Sequence, residues 1–141
     1  MNDVDAIIRL TFEYSFANDT FAIERLVALF AADAIIDMTA FGMQRYEGAA
    51  AIRRYFEKEA SVLSHLMHVA SNHRIDVEGD AASGDVYFLA IAITREGNEN
   101  QARGHYEDRY VRTPAGWRFA ARTMLPLLPY ASVREARSGG R

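Results

Sequence analysis

Apolar side chains recur at helical spacing over residues 4–17, through Ile7, Ile8, Leu10, Tyr14 and Phe16, which predicts an amphipathic helix. Residues 20–32 repeat the pattern through Phe21, Ile23, Leu26, Val27, Leu29 and Phe30. Between the two runs, Asn18-Asp19-Thr20 has the composition of a helix start. A third helix is predicted over 48–62, following Gly48, with Ile52, Tyr55, Phe56 and Val62 on one side. From residue 65 the period changes. Segments 65–78, 82–95, 101–112 and 116–126 are rich in β-branched and aromatic residues. Turn clusters separate them: Glu78-Gly79-Asp80, Arg95-Glu96-Gly97-Asn98 and Thr113-Pro114-Ala115-Gly116. The short pieces Ile35–Met38 and Met43–Tyr46 read as a small edge hairpin. Helices first, then a meander of long antiparallel strands, is an α+β pattern.

The chain has 141 residues, the size of one ordinary domain. We read 1–131 as that domain and the polar stretch 132–141 as a mobile tail. Half of the residues are hydrophobic and a quarter are charged, which is a globular composition. The net charge is -3 and the 16 basic residues are scattered, which argues against nucleic acid or an anionic membrane as a partner. Cysteine is absent, so thiolate nucleophiles, thiolate metal sites and disulfides are excluded. No signal sequence is visible after Met1, and no apolar run approaches the roughly 18 residues of a membrane span. A cytoplasmic protein is the expectation.

Several phrases then accumulate in order. They are Leu29-Phe30-Ala31-Ala32-Asp33-Ala34 after the second helical run, Gly48-Ala-Ala-Ala-Ile52, Val77-Glu-Gly-Asp80-Ala81, and Tyr110-Val-Arg-Thr-Pro-Ala-Gly116-Trp117-Arg118. Their order and spacing over about residues 4–125 resemble the nuclear transport factor 2-like superfamily, in its SnoaL-like and scytalone-dehydratase-like branch. The resemblance implies a cystatin-like fold: a curved antiparallel or mixed sheet wrapped against three helices into a cone, around an apolar pocket. Such a pocket suits a small hydrophobic ligand. The fold alone does not decide the chemistry, because its members include dehydratases, isomerases, cyclases and non-catalytic subunits.

Two residues carry most of the functional reading. His68 opens His68-Val-Ala-Ser-Asn72 and, on a regular strand, shares a face with Ala70 and Asn72; the opposite face is apolar. That polar-tolerant face points either to solvent or into a wet pocket, and a bulge in so long a strand changes the parity. The resemblance places His68 where scytalone dehydratase and lindane dehydrochlorinase carry their proton-abstracting histidine. It places Asp19 where both carry the aspartate that orients it. An aspartate before a helical run is also a good N-cap, at roughly 1 kcal/mol, and that reading stands beside the catalytic one. Tyr14 matches a tyrosine of the bile-acid dehydratase and the oxyanion donor of ketosteroid isomerase, or else it is a core tyrosine. Asn72 is read as a substrate-orienting residue, matching an asparagine of the dehydrochlorinase. In Tyr106-Glu-Asp108-Arg-Tyr110, Asp108 and Tyr106 share a face and are candidate substrate contacts. Asp108 aligns with a protonated donor of ketosteroid isomerase, or serves structurally beside an arginine.

Departures from the relatives are equally informative. The ketosteroid isomerase base would fall at Met38, with Asp37 one residue off. The segment Asp85–Thr94 lacks the second histidine of scytalone dehydratase. The histidines at 65, 68, 73 and 105 have no metal-ligand spacing, so no metal is expected. The expectation is therefore cofactor-independent acid–base chemistry, a dehydration or isomerisation, on a small hydrophobic carbonyl or hydroxyl compound. Alternatives are polyketide-cyclase-like aldol chemistry and a non-catalytic subunit resembling the aromatic-ring dioxygenase β-subunit. A homo-oligomer, dimer or trimer, is expected through an outer sheet face carrying Val111, Trp117, Phe119 and Leu125. The apolar segment Met124–Tyr130 is expected to help close the pocket or to cover a neighbouring subunit.

Overall fold

The computed structural model describes residues 1–129 and 131–132; Tyr130 and the rest of the expected tail, 133–141, lie outside the described residues. Helix α1, Asp3–Asp19, starts where the Asn2 side chain accepts a hydrogen bond from the Asp5 amide at 2.8 Å. It buries Ile7, Leu10, Tyr14 and Ala17 at helical spacing. It closes with the amides of Phe21 and Ala22 bonded to the carbonyls of Asn18 and Ala17, at 3.1 and 2.9 Å. Those two bonds, with Phe21 at φ 54, form a Schellman cap in which phenylalanine takes the left-handed place usual for glycine. Asn18-Asp19-Thr20 therefore ends one helix instead of starting the next. Helix α2 is only Ile23–Val27, and its cap residue, Ala22, makes no side-chain capping bond. The expected run 20–32 is cut short because Phe30 already belongs to strand β1, Phe30–Asp37, and pairs with Phe119.

Strand β2, Arg45–Glu47, completes the expected edge hairpin with β1. Gly48, at φ 83, then opens helix α3, Ala49–Val62. The strands β3 (Leu63–Glu78), β4 (Ala81–Thr94), β5 (Glu99–Thr113) and β6 (Gly116–Pro126) form the antiparallel meander. β1 joins β6 in parallel, so the sheet is mixed and open, in the order β2-β1-β6-β5-β4-β3. A short β7, Ala131–Ser132, pairs with Gln101 and Asn100 of β5. Among the described residues no helix is long and apolar enough to cross a membrane.

Bulges decide which side chains face the helices, since each adds a residue and reverses the alternation. On β3 the inward residues are Leu66, His68 and Ala70, with exposed Met67 and Val69 between them. The pairing shifts between Ser71 and Arg74, and beyond it His73, Ile75 and Val77 take the inner side. A second shift, opposite Arg109 and Tyr110, lies in β6. Trp117 and Phe119 are consequently core residues, at 5% and 0% exposure, and they do not supply the outer apolar face expected of them. Of the other two residues expected there, Val111 and Leu125 are half-buried, and the most exposed large apolar residues of the sheet are Met67, Val69 and Tyr87 on β3 and β4. The core is dominated by aromatic and branched residues, among them Ile7, Leu26, Phe30, Ile52, Phe56 and Phe119. Each such burial contributes about 1.5–3 kcal/mol.

Candidate active site

A cavity of about 420 Å³ opens between α1, α3 and the inner face of the sheet. That size suits a small ligand. Its apolar wall includes Met38, Phe41, Leu66, Ala90 and Met124. Its polar groups come from five elements: Tyr14 and Asn18 on α1, Tyr46 on β2, Tyr55, Lys58 and Glu59 on α3, His68 on β3, and Asn100 and Gln101 on β5.

Asp19, the last residue of α1, meets His68 twice. Its Oδ1 lies 2.6 Å from His68 Nδ1, and its Oδ2 accepts the His68 backbone amide at 2.9 Å. The carboxylate thus fixes both the strand and the ring. A proton on Nδ1, donated to the carboxylate, leaves Nε2 as the basic nitrogen. The imidazole side chain is 7% exposed and sits edge-on to the Tyr14 ring at 6.0 Å. Capping does not explain Asp19. In the last turn of a helix a carboxylate opposes the macrodipole, at a cost of about 0.3–1 kcal/mol.

Tyr14 is 3% exposed, and burial pushes its phenol up to about 12, against the pull of Arg122. It therefore stays protonated at neutral pH. Beneath it lies a buried arginine. Arg122 is in contact with the faces of Tyr14, Tyr106 and Phe119, at 4.4, 3.6 and 4.4 Å from the ring centroids. Its Nε and Nη2 donate to the two oxygens of Asp108, both at 2.8 Å, and the Tyr110 hydroxyl donates to the same carboxylate at 2.6 Å. Tyr106 is stacked on Phe88 at 4.3 Å. Asp108 and Tyr106 are thus part of the support under Tyr14 and do not line the cavity. Asp108 takes the arginine-paired, structural place.

Asn72 is set apart from the other expected site residues. It is the left-handed residue of the β3 bulge, at φ 56, exposed and outside the cavity. His73 beside it approaches the Thr11 hydroxyl at 2.8 Å through Nε2. Asp37 accepts bonds from the Thr39 amide and hydroxyl, at 2.9 and 2.7 Å, and Met38 lines the cavity in its place. Leu127 and Leu128 are exposed, so among the described residues of the expected closing segment only Met124 lines the cavity. One group with ligating atoms within 4.8 Å of one another occurs among the described residues, Asp85, His105 and Glu107, on adjacent strands away from the cavity. Arg74 already pairs with Asp85 at 2.7 Å.

The sequence reading missed Glu59. Its signal was present: Tyr55 and Glu59 are one turn apart, on the side of α3 that carries Ile52 and Phe56. Burial raises the Glu59 carboxyl above its ordinary range, partly offset by the Tyr55 hydroxyl and by His68. The Tyr55 hydroxyl donates to Glu59 Oε2 at 2.7 Å.

Similar folds are known. A candidate aromatic ring hydroxylase from Novosphingobium aromaticivorans superposes with a TM-score of 0.90 at 30% identity, over 94% of each chain. A candidate scytalone dehydratase from the same organism gives 0.81 at 28% identity, over 89% of this chain and 84% of that one. An NTF2-like protein with a cystatin-like fold, also from that organism, gives 0.77 at 23% identity, over 96% and 87%. No curated protein matches the chain in sequence. Residues 1–123 match the family described as SnoaL-like domain, and the chain belongs to that family.

Proposed function

We propose that this protein is a cofactor-independent acid–base enzyme, of dehydratase or isomerase type, acting on a small and mostly apolar carbonyl or hydroxyl compound. The observation that carries this reading is the doubly bonded Asp19–His68 pair, whose imidazole lines the cavity. His68 Nε2 removes a C–H proton next to the carbonyl. Asp19 positions the ring and stabilises the imidazolium that forms. Tyr14, whose phenol keeps its proton, donates to the oxygen on which negative charge develops. A positioned base contributes on the order of 10²–10⁴ in rate, and fixed donors in a water-poor cavity add to it. The likeness to a candidate scytalone dehydratase supports the same class.

The test is deuterium incorporation at the α-carbons of cyclohexanone in D₂O, followed by NMR. The wild-type protein accelerates exchange, and His68→Ala removes the acceleration while the circular dichroism spectrum is unchanged. Equal rates for the two proteins, or none above buffer, count against the reading.

A second reading follows from the fold alone, which does not by itself decide for catalysis. On it the chain is a non-catalytic binding or structural subunit. Ligand affinity then survives His68→Ala, and no turnover accompanies binding. In either case we propose a homo-oligomer, formed through the exposed apolar residues Met67, Val69 and Tyr87 of the outer sheet face.

A further inference from the structure

Glu59 is an ionisable group of the cavity wall to which the scheme above assigns no task. Its Oε2 accepts from Tyr55, whereas Oε1 has no hydrogen-bond partner among the described residues, and no arginine or lysine among them forms an ion pair with it. Burying a carboxylate without a cation is costly, which shifts Glu59 toward its protonated form. Asp19 is in the opposite situation, with two N–H donors on its oxygens. A carboxyl on the cavity wall and a second one that holds the histidine from behind it are acids in different environments, the arrangement that separates a proton donor from an orienting group. The two lie close enough for the charges of Asp19 and His68 to act on Glu59.

We propose that Glu59 is the general acid of the site, giving its proton to a departing hydroxyl while His68 removes the C–H proton. This rests on the reading of His68 as the base, and it narrows the substrate class to β-hydroxy carbonyl compounds. His68 Nε2 takes the proton from the carbon α to the carbonyl, and that C–H electron pair becomes the new C=C bond. The bond from the β-carbon to its hydroxyl breaks with the pair on oxygen, and the Glu59 proton converts that oxygen to water. The site is left as imidazolium and carboxylate, and one proton passing from the first to the second restores it. The titratable and charged groups facing Glu59 are Tyr14 and Asp19 from α1, Tyr46 from β2, Tyr55 and Lys58 from α3, and His68 from β3.

Two measurements test this. In the first, the Glu59 Cδ resonance of ¹³C-labelled protein, assigned by its loss in Glu59→Gln, is followed against pH. A midpoint above the ordinary glutamate range is expected; a carboxyl fully ionised from pH 5 upward overturns the proposal without any substrate. In the second, wild type, Glu59→Gln, Glu59→Asp and His68→Ala are compared on two probes. Dehydration of 3-hydroxycyclohexanone is read by enone absorbance, and α-deuteration of cyclohexanone by NMR. Glu59→Gln lowers dehydration on the order of 10²-fold and lowers deuteration far less, because exchange needs no leaving group. Glu59→Asp, which keeps a carboxyl, recovers part of the dehydration. His68→Ala lowers both. Dehydration unchanged in Glu59→Gln, with exchange intact, defeats the role of Glu59 alone; parallel loss of both reactions in Glu59→Gln makes it structural and also overturns it. Absence of both reactions in the wild type defeats the base and this proposal together.

Discussion

Asp19 and His68 are joined by two hydrogen bonds to one carboxylate, from the backbone amide at 2.9 Å and from Nδ1 at 2.6 Å. The end of α1 is thereby tied to β3 at the residue that lines the cavity, so orientation of the ring and attachment of the strand depend on the same group. Asp19→Asn retains one acceptor oxygen and cannot serve both donors. We expect it to lower cyclohexanone exchange on the order of 10²-fold. It should also destabilise the fold by about 1.5–3 kcal/mol, as for a lost bond to a charged group. Urea unfolding alongside the exchange assay checks both.

Glu59 makes stability depend on pH. Burial raises its folded-state pKa above the ordinary 4.5, so the folded protein holds this proton more tightly than the unfolded chain. The resulting stabilisation is fully present below the unfolded value and is lost as pH rises through the raised one. Urea midpoints of the wild type should therefore decline across that window relative to Glu59→Gln. The stability of the variant relative to the wild type should rise with pH, and identical profiles for the two proteins would contradict the assignment.

Arg122 is fully buried, and Asp108 holds it through two bonds. Asp108→Ala strands the guanidinium under the Tyr14 and Tyr106 rings. The expected loss is about 3–5 kcal/mol, because the remaining charge has no partner. Thermal denaturation reads it directly. A variant as stable as the wild type would show that the pair does not support the floor of the cavity.

Asn72 occupies the left-handed position of the β3 bulge and has no place in the cavity wall. Asn72→Gly should be neutral or stabilising, whereas Asn72→Val should cost about 1–2 kcal/mol from backbone strain. Neither change should alter exchange or dehydration rates. A selective loss of activity in Asn72→Gly would return this residue to the site.

Met67 and Val69 are 49% and 48% exposed on the outer face of β3. Met67→Glu combined with Val69→Glu should convert the expected homo-oligomer to a monomer, measured by sedimentation velocity at micromolar concentration. A wild-type protein that sediments as a monomer removes the premise.

Local chemistry by itself determined a good deal of this protein. The change from helical to alternating apolar period around residue 65 marks the passage from helix to meander, because that period reflects which side chains one element buries. The turn clusters at 78–80, 95–98 and 113–116 placed the strand ends. The pairing of His68 with Asp19 was legible through the family resemblance, since both residue types stand at the matching positions. Tertiary structure decided the rest. Asn18-Asp19-Thr20 has the composition of either end of a helix; bonds from the Phe21 and Ala22 amides back to Asn18 and Ala17 made it the end. Asn72 and Trp117 were assigned to faces by strict alternation, which cannot register a bulge, because a bulge exists only against the pairing of a partner strand. Glu59 has the charge of a solvated helix face, and only the packing of α3 over the sheet shields it from water. Desolvation depends on what the rest of the chain places around a group, and a group's neighbours in the sequence do not contain that information.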